Sequence, residues 1–212
     1  MAVVIGTNSG FVTTAPTTDP SGWQGYQSNT YQTCFSLATT SAITITEMGF
    51  HANHDVAEAD FDIGIYSDDS GPDELIHISA NNTKTTGAGW KKVTGLNFEL
   101  NASTTYWLAI QLDGANFVGL DATDSATGHV VKQSYGSKSS LVDPWDSTAS
   151  SGDDRALALY ALYEAAATGT NTQINIGDTW KEISAAKINI GDTWKEVAGM
   201  QVNIGDAWKT VF

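Results

Sequence analysis

The chain is short of cysteine, of basic residues and of long apolar runs. Cys34 is the single cysteine among 212 residues, so no disulfide can form within the chain. Only 10 Lys and Arg stand against 24 Asp and Glu, a formal net charge of −14. A field of that sign repels phosphate backbones, so nucleic acid is not an expected partner. No run approaches the ~20 apolar residues of a spanning helix, so membrane insertion is not expected either. The opening Met-Ala-Val-Val-Ile-Gly-Thr-Asn-Ser-Gly has no basic segment followed by a long apolar one, which predicts cytoplasmic synthesis without a signal peptide. Sustained helical periodicity with caps is also missing.

What the chain does have is apolar residues at strand spacing. With 41% hydrophobic and 16% charged residues it has enough apolar surface for a full core, and abundant Ser, Thr, Gly, Asn and Asp move the expectation to all-β. Ile43 and Ile45 alternate, then Met48 and Phe50 take the opposite parity, which predicts a bulge between them. Phe61, Ile63 and Ile65 alternate with Asp60, Asp62 and Gly64, the pattern of a half-buried strand with its polar residues outward. Further strands are expected at Leu75 to Ser79, Trp90 to Leu100, Phe117 to Leu120 and Val130 to Tyr135. Tyr106 to Leu112 and Ala156 to Tyr163 are apolar on both faces and should be central. About eight strands at this spacing predict a β-sandwich of jelly-roll type spanning residues 41–165, preceded by an arm and edge over 1–40.

The last part of the chain, 166–212, reads differently. After a short linker, three near-copies of a fourteen-residue unit begin at Gln173, Lys187 and Gln201 and place Trp180, Trp194 and Trp208 at strict spacing. A fixed period marks repeats that bury their apolar faces against one another. In each unit two β-prone runs flank a Gly-Asp pair, so each predicts a hairpin, and the three together an up-and-down meander of six strands. Residues 173–212 hold five acids and four lysines, which leaves 19 acids against 6 bases, a net −13, in everything before them. The acidity therefore belongs to the main domain, where it favours solubility.

A Trp side chain buries ~150–250 Å², about 4–6 kcal/mol at ~25 cal/mol per Å² if fully covered. Three of them decide whether so small a segment is ordered. They form either a private core or, with Ile176, Ile190 and Ile204, a surface for oligomerisation or docking. Hairpin register decides which face carries the Trp.

Three segments carry a resemblance: Asp60-Phe-Asp-Ile-Gly-Ile-Tyr-Ser-Asp-Asp69, Gly89-Trp-Lys-Lys-Val-Thr-Gly95 and Thr104-Thr-Tyr-Trp-Leu-Ala-Ile110. Together they resemble a jelly-roll domain of phage structural proteins and secreted bacterial proteins. Val4 to Thr14 looks like the start of proteins encoded among tailed-phage virion genes, and Asn-Ile-Gly-Asp-Thr-Trp-Lys is similar to C-terminal units of phage tail and minor virion proteins. The resemblance implies a non-enzymatic virion component of decoration, fibre or minor tail type. It further implies a homo-oligomer among other virion proteins, located on the extracellular particle, with no catalytic set to carry over.

Residue chemistry offers few alternatives. Nucleophile-elbow, phosphate-loop and dinucleotide motifs are missing, so no enzyme and no cofactor are expected. His51 and His54 sit beside Asp55 and Glu58 without a completing cysteine pair and read as exposed loop residues rather than zinc ligands. Asp68, Asp69 and Asp73, with Glu74, surround a Gly-Pro turn. They form a weak calcium candidate whose spacing departs from an EF-hand loop. The rival function is a carbohydrate-binding adhesin that recognises host-surface glycan. Trp23, Trp90 and Trp145, with Tyr26, lie in or beside loop-like segments and would supply its aromatic platform, with core packing as the alternative for each.

Overall fold

The computed structural model describes residues 2–20, 24–27, 32–52, 59–112, 119–123, 126–134, 139–146, 154–165 and six four-residue strands between 173 and 210. At 24–27, 32, 59, 119, 120 and in those six strands the description is of backbone. The described chain is all-β, in two units, residues 1–166 and 167–212.

In the first unit the strands are β1 (Gly10–Val12), β2 (Gln24–Gln27), β3 (Gln32–Ala38), β4 (Ile43–Ala52), β5 (Ala59–Asp68) and β6 (Pro72–Lys84). They continue as β7 (Gly89–Leu100), β8 (Thr105–Leu112), β9 (Gly119–Thr123), β10 (Val131–Ser134), β11 (Ala156–Leu157) and β12 (Leu159–Ala165). A seven-stranded sheet runs β1-β12-β4-β9-β11, with β7 also on β4 and β2 on β9; a five-stranded sheet runs β10-β3-β8-β5-β6. From β3 to β5 and from β6 to β10, successive strands cross between the sheets, giving a β-sandwich.

Alternation along the strands fills the space between the sheets. Ile45, Met48 and Phe50 from one sheet meet Phe35, Phe61, Ile63, Ile65, Leu108 and Ile110 from the other, all at most 2% exposed. Phe50 and Phe61 join the layers edge to face, with ring centroids 5.1 Å apart. The expected bulge is present: opposite β7 the register of β4 shifts between Ile45 and Glu47, and opposite β4 that of β12 shifts between Leu162 and Tyr163. The extra residue lets Ile45 and Met48 both face the core. Of the two expected central strands, Tyr106 to Leu112 is internal, as β8 between β3 and β5; Ala156 to Tyr163 is broken at Ala158 into β11, which ends the sheet beside β9, and β12, which lies between β1 and β4.

The outer faces depart from the expected half-buried pattern. Asp62, read as an outward polar residue, is 3% exposed. Residues 139–146 run over the outer face of the five-stranded sheet as a strap. Asp62 Oδ2 accepts from Ser140 Oγ at 2.5 Å and from the Leu141 amide at 3.1 Å, while Oδ1 accepts from the Asn81 amide at 2.8 Å. The Tyr66 hydroxyl donates to Val142 O at 2.6 Å, and the Trp145 amide to Asp73 O at 2.8 Å. Leu141 and Trp145 thereby close a second apolar cluster with Cys34, Tyr66, Trp107 and Ala109. A β-carbon on Gly64 would stand 2.6 Å from His77 O and 2.9 Å from Leu141 Cδ1, so only glycine lets the strap come so close.

On the other sheet the N-terminal arm plays the same part. β1 adds to β12 in parallel, Ser9 Oγ donates to Leu157 O at 2.5 Å, and Val3 packs with Ala126, Ala156 and Ala158.

The second unit contains β13 (Gln173–Ile176) with β14 (Thr179–Glu182), β15 (Lys187–Ile190) with β16 (Thr193–Glu196), and β17 (Gln201–Ile204) with β18 (Ala207–Thr210). Each pair is an antiparallel hairpin in the same register, Trp180 opposite Asn175, Trp194 opposite Asn189 and Trp208 opposite Asn203. The expected six-stranded meander is not formed among the described strands, which make three separate two-stranded ladders. The turns predicted at Gly177-Asp178 and at 184–186 lie outside the described residues.

Candidate functional site

Among the described residues, a connected group of polar and aromatic side chains lies on the outer face of the seven-stranded sheet. Alternation on β4 points Met48, Phe50 and Ala52 into the core and places Glu47, Gly49 and His51 on the opposite face. Register brings Trp90 of β7 opposite His51 and Tyr160 of β12 opposite Gly49. The rings form a row: His51 and Trp90 lie edge to face at 5.2 Å, Trp90 and Tyr160 at 5.3 Å.

At one end of the row the Tyr160 hydroxyl donates to Glu47 Oε1 at 2.6 Å, and Lys92 Nζ pairs with Glu47 Oε2 at 3.0 Å. Burial above all, then the hydrogen bond and charge of Glu47, push the Tyr160 phenol well above the usual tyrosine range. At the other end His51, 4% exposed, sits between two carboxylates. Asp121 Oδ2 of β9 lies 3.3 Å from Nδ1, and Asp19 Oδ1 of the arm lies 3.3 Å from Nε2. Neither contact has hydrogen-bond geometry, and each becomes an ion pair only with a protonated ring. The arm is also held by the Trp90 indole, whose Nε1 donates to Thr18 O at 3.3 Å.

Chemically this row joins and orients. Glu47 is engaged by two donors, the phenol is kept neutral, and the Trp90 N–H is spent on the arm. His51 is the residue that reading the sequence misplaced: it is a buried strand residue rather than an exposed loop one. His54, Asp55 and Glu58 lie outside the described residues. The i, i+3 spacing of the histidines hides the strand parity, and the partners Asp19 and Asp121 come from distant segments.

The other candidate residues are scattered. Trp145 is 8% exposed and packs edge to face on Tyr66 at 5.2 Å, so its ring belongs to the strap's apolar cluster and offers no open platform. Trp90 keeps partial exposure. Trp23 lies outside the described residues, and Tyr26 is placed as a backbone position of β2 opposite Leu120.

Asp68 Oδ1 accepts from the Trp107 indole at 2.7 Å, the Asp69 amide closes the turn onto Gly71 O, and Asp73 O receives the Trp145 amide. These are turn and strap bonds. Among the described residues no three His, Cys, Asp or Glu are grouped to hold a metal ion. In the hairpins, strand alternation puts Trp180 on the face of Asn175, with Ile174 and Ile176 on the opposite one. The same division holds for Trp194 and Ile190 and for Trp208 and Ile204, so the expected interface set is split between two faces of every hairpin.

Comparison with protein-family models, curated proteins and solved structures returns no match. Among the described residues no helix is long and apolar enough to cross a membrane.

Proposed function

We propose that this protein is a non-enzymatic structural component of a virus particle, a β-sandwich body whose hairpin repeats bring about oligomerisation or docking onto neighbouring virion proteins. The observation that carries the proposal is the identical register of the three hairpins. An isolated two-stranded hairpin is marginal in water, and each of these has an apolar position on both faces, Trp on one and Ile on the other. Segments of that kind gain stability from strands or faces that cover them, and a second copy of the chain supplies surfaces of matching periodicity. The near-neutral repeats also avoid the self-repulsion of the acidic body. Removing residues 167–212 is expected to abolish the oligomer, or incorporation into particles, while the body stays folded and soluble. A shortened chain that assembles as the full chain does would overturn the proposal.

A second reading, binding of host-surface glycan by the sandwich, draws support from Trp90, the aromatic of that set with a described, partly exposed side chain. Glycan-array binding that is lost in Trp90→Ala supports this reading; an unchanged array profile in that variant contradicts it.

A further inference from the structure

The N-terminal arm crosses the outer face of the seven-stranded sheet and ends its described course on two contacts, Thr18 O with the Trp90 indole and Asp19 with His51. The second contact has an unusual composition. A neutral imidazole carries one N–H and one lone pair, whereas a carboxylate is an acceptor only. His51 has a carboxylate oxygen 3.3 Å from each nitrogen. With a neutral ring, one of the two contacts always sets a lone pair against an anionic oxygen; with the imidazolium, both are attractive.

The surroundings leave that choice to the proton. Among the described residues, the ring faces Asp19 from the arm, Asp121 from β9 and the uncharged Trp90 from β7. On its own strand and face stands Glu47, which is already engaged by Tyr160 of β12 and Lys92 of β7. The two carboxylates differ in burial, Asp121 with 9% and Asp19 with 70% of its side chain exposed. Asp19 is therefore the partner free to leave.

We propose that His51 is a proton-operated latch for the N-terminal arm: protonated, it holds Asp19 and Asp121 together across the sheet; neutral, it keeps Asp121 and releases Asp19. Release frees the Thr18 carbonyl from the Trp90 indole and uncovers the edge of the aromatic row. Acid favours the imidazolium and base the neutral ring, so the arm is tighter at lower pH and looser at higher pH. Asp19 is exposed, and the effect has the size of a solvated ion pair, about two- to fivefold in the open population of the arm.

The test follows the Trp90 indole N–H, which donates to Thr18 O, in the full-length protein by ¹⁵N NMR, with Trp90→Phe identifying its signal. From pH 5.5 to 8.0, hydrogen exchange corrected for its intrinsic pH dependence should show the arm opening about two- to fivefold more often, with a sigmoidal shift of the indole signal. In Asp19→Asn, a change at an exposed site, the arm, read by exchange of the indole N–H, should be equally loose at both pH values. His51→Gln should behave alike; should it fail to fold, Asp19→Asn decides. A wild-type arm indifferent to pH, or an Asp19→Asn arm with the wild-type response, overturns the latch.

Discussion

The phenol ring of Tyr160 fills the space directly above Gly49: a β-carbon on that glycine would stand 2.7 Å from Tyr160 Cε1 and 2.7 Å from Lys91 O. One of these neighbours is backbone and the other a fully buried ring, so neither yields cheaply. Gly49→Ala should destabilise the body by about 1–3 kcal/mol through overpacking, read as a lower urea midpoint at unchanged slope. Gly64→Ala, whose β-carbon meets His77 O and Leu141, should cost a similar amount and loosen the strap as well.

Alkaline pH should unfold the body through its buried tyrosines. Burial first, then the charges of Cys34, Asp143 and Asp62, raise Tyr66 above the usual tyrosine range; burial and then Glu47 raise Tyr160. A group with a raised folded pKa contributes stability that is complete below its unfolded value, about 10 for tyrosine, and is lost as pH rises beyond it. Titration at 295 nm should show these two of the seven tyrosines ionising only together with loss of near-ultraviolet dichroism. Tyr160→Phe should reduce the delayed amplitude by one residue; two phenols that titrate normally in the folded state would contradict their burial.

The strap depends on Asp62. Its carboxylate receives the Asn81 and Leu141 amides and the Ser140 hydroxyl, so Asp62→Ala leaves three donors to find other partners at a cost of about 3 kcal/mol. Ser140→Ala removes one neutral donor and should cost about 1 kcal/mol. Urea melts rank the two, and limited proteolysis should cut within 139–146 faster in Asp62→Ala than in the wild type.

The strands were legible in the sequence because their signal is local. Phe61, Ile63 and Ile65 announce a core face by alternation alone, and the parity change between Ile45 and Met48 announces the bulge. The outer faces were not legible, since Asp62, Gly64 and His51 owe their burial to segments that arrive from far along the chain. An aspartate that takes two of its three bonds from a distant strap has the same pattern in sequence as one in water. In the repeats the period gave the hairpins, whereas the placing of Trp opposite Asn, on the face away from Ile, needed the observed register.

Cys34 is fully buried, and burial raises its thiol well above the ordinary range against the weaker opposing influence of Lys132. A protonated, covered thiol is a poor nucleophile. It should stay unreactive toward a disulfide reagent in the folded protein and react at the rate of unfolding, so labelling that tracks the urea-induced loss of structure checks the prediction. Rapid labelling without denaturant would contradict it.

The role assigned to the hairpins is tested most directly by the molar mass in solution of the full-length protein and of the triple variant Trp180→Ala, Trp194→Ala, Trp208→Ala, measured by light scattering across a concentration series. Self-association through the repeats predicts a whole-number multiple of the 22.5 kDa chain mass for the wild type and a monomer, with the sandwich's dichroism intact, for the variant. The same multiple in both proteins would contradict it.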